Sequence, residues 1–401
     1  MKKRILKNKK LLATGGVLVF ILVLYLPLVF QLFKISGGPQ LVEKRKLARK
    51  PEFRLDSIFS YFKQYTPYYN DHFTFRPGLV YLNNLFKVKI LGVSPTPRVL
   101  IGKNGWLFLD RQEPRPSTVD YYRSMTLFTR QELEQWKNLL EQRHQWLKAR
   151  GIHYLFLIVP NKNTIYPEFM PHRIRRVRKI SRMDQLVGFL RSHSTVPVLD
   201  IRPTLIAAKA RLPVYSRTDS HWNDYGAYMA YRGIITYISR HFSAFKGIDP
   251  IPLSRFKIET VNHSGGDLAI MLALNENVLR EDMIELKAVP PLKIRGNELP
   301  DIARFVKQSR TEMPTADIPN ILMVHDSFYK RIKPFLSGQF SRVLYIWDWG
   351  LNFYPQIIEK EKPKLVIDEI AERFLLHKIP VNPSMLAVVE HLDTVFHERQ
   401  H

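Results

Sequence analysis

The sequence contains no cysteine. That excludes disulfides, a thiolate nucleophile and any metal site built on cysteine sulfur, although it does not identify a compartment. Acidic residues are scarce: Asp plus Glu number 36 against 61 Lys plus Arg, a net charge of +25. Six positive charges (Lys2, Lys3, Arg4, Lys7, Lys9 and Lys10) sit in the first ten residues, so about +19 remains on the rest of the chain. Such an excess attracts polyanions: nucleic acid, anionic lipid or acidic polysaccharide. Clear periodicity is missing from about residue 243 to 318, where Pro250, Pro252, Pro290, Pro291, Pro300 and Pro314 punctuate the chain. That stretch reads as an excursion from the main sheet, with 263–268 its most structured loop. The remaining composition is that of a globular protein. With 401 residues, 45% of them hydrophobic, there is material for one large domain or two smaller ones.

The one long apolar run is Leu11 to Phe33, enough for a helix to cross a bilayer. The basic run before it predicts a cytoplasmic N-terminus and an external remainder. A cleaved signal peptide would have a shorter apolar core and small residues at the cleavage spacing. Here Phe33-Lys-Ile35 follows, which favours an uncleaved single-pass anchor in the cytoplasmic membrane and a periplasmic domain. On that topology nucleic acid lies on the wrong side. The predicted organisation is a basic tail over 1–10, an anchor over 11–33, a membrane-proximal segment over 34–110 packed on the catalytic domain, and a catalytic domain over 111–401. His72, set among aromatics, reads as packing.

Elements alternate along the domain. Val99 to Phe108 reads as a hairpin, because Asn104-Gly105 supplies the positive φ angles of a tight turn. Thr129 and Glu132 make a capping box for a helix that Gly151 ends. Tyr154–Val159 and Val196–Leu199 read as strands, then Tyr225–Phe242 as a helix. Later come strand Ile321–Val324, helix Phe328–Phe340, strand Val343–Ile346, helix Asn352–Glu361 and strand Lys364–Ile370. This alternation predicts an α/β fold, a parallel sheet flanked by helices, with its site at the carboxyl ends of strands.

Thr218-Asp-Ser-His-Trp-Asn-Asp-Tyr-Gly-Ala227 is the most informative stretch. Asp219 lies two residues before His221 on a loop, and Asn223 or Asp224 caps the helix that follows. A carboxylate so close can hold one ring nitrogen of His221 and leave the other as a base. A nucleophile appears about a hundred residues later. Strand Ile321–Val324 runs into His325-Asp326-Ser327-Phe328 and then a helix, so Ser327 sits at a strand's carboxyl end, where free backbone N–H groups face a developing oxyanion. The plainer reading, that Asp326 or Ser327 only caps the helix, is what the local sequence alone favours.

The set of motifs resembles the SGNH-hydrolase-like polysaccharide O-acetylation proteins, the AlgJ/AlgX and DHHW-type family. Asp71-His72-Phe73-x-x-Arg76, Gly102-Lys-Asn-Gly-Trp-Leu-Phe108, Pro160-Asn-Lys162-x-x-Ile165-Tyr-Pro-Glu168 and Gly266-Asp-Leu268 match that family's landmarks in order. The resemblance implies a flavodoxin-like SGNH fold with circularly permuted motif order, the Asp-His pair preceding the serine. It implies catalysis by Ser327, His221 and Asp219, and an oxyanion-hole glycine at Gly350. Strand 364–373 falls where such enzymes have the oxyanion-hole asparagine, but no asparagine occurs there; Asp368, Glu369, Glu372 and Arg373 do. His325 replaces the glycine that usually precedes Asp-Ser.

The implied activity is membrane-anchored O-acetyl transfer to a cell-surface or exopolysaccharide, with a membrane-bound O-acyltransferase as partner supplying the acyl group. The reading calls for no cofactor and no metal. Trp222 and the basic stripe with Arg175, Arg176 and Arg178 are candidates for holding an acidic glycan, the arginine fork being suited to carboxylates. Two alternatives stand beside it: an acetylesterase with the same triad, and a catalytically idle scaffold, which the missing asparagine favours.

Overall fold

The computed structural model describes residues 14–26, 29–30, 33, 46–53, 58–111, 116–303, 306–377, 379–380 and 382. They belong to two compact units, 1–96 with 269–278, and 97–268 with 279–401.

The first unit is helical. Residues 14–26 form a helix with a run of exposed apolar side chains from Val17 to Leu24. Among the described residues no helix is long and apolar enough to cross a membrane. The basic tail and residues 11–13, 27–28 and 31–32 of the Leu11–Phe33 run lie outside the described residues. Helix α1 (Ile58–His72) and helix α2 (Arg76–Leu85) follow. Tyr61, Tyr65 and Tyr69 stack along α1, with centroids 5.6 and 6.4 Å apart. His72 donates from Nδ1 to the Tyr68 carbonyl at 2.8 Å, and its ring lies 4.3 Å from that of Tyr68.

The second unit is built on a seven-stranded sheet. Hairpin strands β1 (Val99–Ile101) and β2 (Leu107–Leu109) pair antiparallel. Both turn residues have positive φ, 52° at Asn104 and 76° at Gly105, as an Asn-Gly turn requires. This hairpin belongs to the large unit, so the boundary falls at about residue 97 rather than 110. Helix α3 (Arg130–Lys148) starts at the Thr129–Glu132 capping box and buries Leu133, Trp136, Leu140 and Leu147. Then come β3 (His153–Val159), α4 (Arg182–His193), β4 (Val198–Asp200), α5 (Arg202–Lys209) and α6 (Asp224–His241). Asn223 caps α6 by accepting from the Gly226 N–H at 2.9 Å.

The aperiodic stretch holds four strands. β5 (Phe256–His263) and β6 (Glu281–Ala288) form a separate antiparallel pair. β7 (Arg295–Ala303) and β8 (Val306–Glu312) extend the main sheet, so half of the expected excursion is part of that sheet. The core elements follow: β9 (Ile321–His325), α7 (Tyr329–Gln339), β10 (Arg342–Trp347), α8 (Pro355–Glu361) and β11 (Leu365–Ala371).

The sheet order is β4-β3-β11-β9-β10-β8-β7. Its first five strands are parallel, whereas β8 and β7 run antiparallel at one edge. The sheet is therefore mixed and not wholly parallel. β9 leads to β10 on one side, and the chain then returns to β11 on the other. Right-handed crossovers put α7 and α8 on opposite faces. That makes β9 a topological switch point, where a crevice opens at the carboxyl edge. β3, β9 and β11 are buried almost throughout, as strands covered on both faces must be.

A buried ion pair ties α3 to this sheet. Arg143 Nη1 donates to Asp368 Oδ2 at 2.7 Å with both side chains fully buried, and Nη2 donates to the Leu351 carbonyl at 2.7 Å. Tyr154 donates to the same Asp368 oxygen at 2.7 Å. Arg143→Met should strand the carboxylate and remove about 3–5 kcal/mol of stability. A urea titration reads this as a lower midpoint; an unchanged midpoint would mean that the pair contributes nothing net.

Candidate active site

Side chains after four parallel strands converge at the carboxyl edge: Asn161 after β3, Arg373 after β11, Ser327 after β9 and Asp348 after β10. Ser327 sits in a tight turn. Asp326 accepts from the Phe328 N–H at 2.9 Å and from the Ala371 N–H at 2.8 Å, joining the turn to β11. The Asp326 N–H donates to Glu369 Oε2 at 3.0 Å. Burial, and then the charge of Asp326, raises Glu369 well above the ordinary carboxyl range. His325 is buried, and burial pushes it down to about 3. Its Nδ1–H donates to the Asp326 carbonyl at 3.0 Å, and its ring stacks 3.7 Å from that of Tyr329.

The loop before α6 brings the base. His221 Nε2 and Ser327 Oγ are 2.7 Å apart, and His221 Nδ1 lies 2.7 Å from Asp219 Oδ1. Burial alone would raise Asp219. The hydrogen bond and charge of His221, with backbone N–H groups of His221 and Asp267, outweigh it and hold Asp219 well below the usual range. Asp219 is thus an anion fixed on Nδ1, which leaves Nε2 to accept a proton from the hydroxyl.

Four supports hold this loop, and sequence reasoning gave none of them a role. Lys162 is fully buried, and its Nζ donates to the carbonyls of Leu107 and Arg217 at 2.7 Å each and of Asp219 at 2.9 Å. Burial pushes this ammonium down to about 7, although the carboxylates of Glu281, Asp219 and Asp267 resist the fall. Glu281 accepts from Thr218 Oγ1 and from the N–H groups of Arg217 and Thr218. Asp267 accepts from Ser220 through the N–H at 2.7 Å and Oγ at 2.6 Å. Gly266 passes so close that an added Cβ would lie 2.4 Å from Asp219 Cβ. Lys162, Gly266 and Asp267 were legible in advance only as parts of motifs without a role. A glutamate opening a strand, as Glu281 does, carries no signal at all.

Other expected residues stand differently. Trp222 is 1% exposed and donates from Nε1 to the Phe328 carbonyl at 3.0 Å. It is a core wall behind Ser327 and offers no face to a sugar ring, which corrects that assignment. The Gly350 N–H already donates to Asp348 Oδ1 at 2.7 Å, so it is not a free oxyanion donor. Nor are the first N–H groups after Ser327 free, since those of Phe328 and Tyr329 go to Asp326. Arg175, Arg176 and Arg178 are exposed on a loop. Arg178 donates to the Ser124 and Met125 carbonyls at 2.7 and 3.0 Å, Arg175 to that of His172 at 3.4 Å, and Arg176 lies over the Tyr122 ring. Arg373 is nearer the chemistry: its Nη2 lies 3.3 Å from Ser327 Oγ.

Among the described residues, Asp219, His221 and Asp267 have ligand atoms within 4.8 Å of one another, close enough for a metal ion. The nitrogen available to such an ion is the one hydrogen-bonded to Asp219, so a metal would compete with that bond.

The family described as "SGNH hydrolase-like domain, acetyltransferase AlgX" matches residues 99–372, well over half of the chain. The chain belongs to this AlgX family. It is similar to the probable alginate O-acetylase AlgJ of Pseudomonas aeruginosa, 30% identical over 132 residues, covering 33% of this chain and 30% of that protein. The corresponding Pseudomonas putida protein is 28% identical over 210 residues, half of each chain. The chain thus spans half or less of the curated relatives it matches. Among solved structures, Bacillus cereus PatB1 aligns with a TM-score of 0.53 at 16% identity, covering 70% of this chain and 98% of that one. A DHHW family protein from Eubacterium siraeum aligns at 0.50 and 16%, covering 70% and 96%. These likenesses support the SGNH-like α/β fold of the AlgX family.

The close approach of Gly266 yields a test. Gly266→Ala should displace Asp219 and lower kcat on an activated ester about 100-fold, while the melting temperature falls by only a few degrees. Full activity in that variant would mean that the Asp219 loop yields freely.

Proposed function

We propose that the chain is a polysaccharide O-acetyltransferase in which Ser327, His221 and Asp219 act as a catalytic triad. The observation that carries the reading is the chain of two 2.7 Å contacts, Ser327 Oγ to His221 Nε2 and His221 Nδ1 to Asp219. The relatives named as alginate O-acetylases support the reaction class.

Ser327 Oγ attacks the donor's carbonyl carbon and its proton passes to His221 Nε2. The tetrahedral species then collapses, and His221 returns that proton to the leaving group. A sugar hydroxyl next attacks the acetyl-serine, His221 takes its proton, and Ser327 leaves with it. In this reading Asp219 holds the tautomer and offsets the imidazolium charge.

The acceptor is proposed to be an acidic glycan. The Arg111 guanidinium lies 5.4 and 5.6 Å from the Trp349 and Phe374 rings and that of Arg373 lies 5.2 Å from the Phe374 ring, so two cations stand near Ser327, where an acidic sugar would be drawn. The acyl donor would come from a membrane-bound O-acyltransferase. We place the chain in the cytoplasmic membrane with a periplasmic domain, on the Leu11–Phe33 run and its basic flank.

Ser327→Ala and His221→Ala should each lower acetyl transfer at least 1,000-fold, and Asp219→Asn about as much through the wrong tautomer. The assay follows labelled acetyl from an activated ester onto acidic and neutral glycans over a salt series. Transfer surviving Ser327→Ala would leave only the scaffold; release to water with no labelled glycan would favour the esterase. For topology, a C-terminal reporter active only in the periplasm should be active, and a reporter active only in the cytoplasm should be silent.

A further inference from the structure

The oxyanion hole lacks the parts that the family resemblance supplies: no asparagine follows β11, and the Gly350 N–H is taken. Arg373 stands where the asparagine would be. It is 8% exposed, and its guanidinium lies 5.0 and 5.2 Å from the Phe328 and Phe374 rings. Among the described residues it has no carboxylate partner within ion-pair distance; its side-chain hydrogen bond goes to Ser327 Oγ. The flanking acids are engaged elsewhere: Glu369 accepts from the Asp326 N–H, and Glu372 from the Asn161 N–H and Thr164 Oγ1. A nearly buried cation without a counterion is costly, and it is most at ease when an anion forms beside it.

A small cavity of about 20 Å³, room for about one water, adjoins this group, and Phe108, Leu109, Asn161, Ser220 and Arg373 are among its lining residues. Asn161 is 4% exposed, and its side-chain amide nitrogen has no hydrogen-bond partner. The Ser327 N–H likewise has none among the described residues.

We propose that Arg373 is a catalytic residue: with the Ser327 N–H it forms the oxyanion hole, and the unpartnered Asn161 amide in the adjoining cavity is a further donor toward it. The assignment rests on Ser327 being the nucleophile. When the Ser327 Oγ–C bond forms, the carbonyl π pair moves onto oxygen while the serine proton goes to His221. Arg373 meets that new negative charge without reorganising, which is what makes such a donor effective. A cation in the hole also separates this site from one that uses amide donors alone, because its planar fork brings both charge and direction.

The test uses the full chain in detergent micelles with p-nitrophenyl acetate and no sugar, following acylation of Ser327 by stopped flow and intact mass. Arg373→Met should slow acylation by about 100- to 1,000-fold with little change in KM. Arg373→Lys should regain part of that rate and remain at least about tenfold slow. Asn161→Ala, which removes the unpartnered amide nitrogen, should slow acylation more than about tenfold. Melting curves report the fold, and should Arg373→Met fail to fold, the other two variants decide. A wild type never acylated on Ser327 would overturn the transferase reading and this one with it. Normal acylation in the wild type and equally in the Arg373 variants would overturn this inference alone. So would a loss confined to transfer onto acidic glycan, which would make Arg373 an acceptor contact.

Discussion

One ammonium group holds the active loop in place. Lys162 reaches three carbonyls that belong to β2, to the start of the triad loop and to Asp219 itself. The Arg217 carbonyl also accepts from the Leu107 N–H at 2.9 Å, so β2 and this loop are joined twice, and a buried carbonyl without a donor costs about 1–3 kcal/mol. The loop carrying Asp219 and His221 is not part of the sheet, so its position depends on this contact and on Glu281 and Asp267. The hairpin β1–β2 is thereby part of the catalytic unit, although it precedes the sheet by some fifty residues.

Much of the fold was legible because periodicity and caps follow local physics. Thr129 with Glu132, Asn223 before α6, and the Asn104-Gly105 turn each behave as side-chain and backbone rules require. The buried runs of β3, β9 and β11 read as strands for the same reason. The strands between residues 256 and 312 did not, because β7 and β8 sit at a sheet edge with one side in water and alternate poorly. Edge strands are set by their neighbours more than by their own pattern.

The site divides in the same way. Asp219, His221 and Ser327 could be picked out because their chemistry needs those residue types next to a turn. Their supports could not, because a lysine or glutamate is recognised as buried only once its partners are known. Trp222 shows the reverse: beside a candidate base an indole suggests a sugar platform, yet here its N–H is spent on the Phe328 carbonyl and its face on Phe328. The acids of β11 are a further case. Asp368 and Glu369, with Glu372 just after the strand, fall in sequence where the resemblance has an asparagine, and each is buried against a specific donor.

The separation of His221 from Ser327 by 106 residues has a consequence for how the protein is made. Closing so long a loop costs little extra equilibrium stability, because the entropy grows only with the logarithm of its length. It does cost time, since distant contacts form late in folding. During synthesis the base and its carboxylate emerge well before the nucleophile, and β5 to β8 must be accommodated between them. On the proposed triad, the chain has no assembled centre until β9 has been inserted between β10 and β11. Chemistry would then be the last property the nascent protein acquires, and a chain truncated before residue 327 would be inert toward acyl groups rather than partially active.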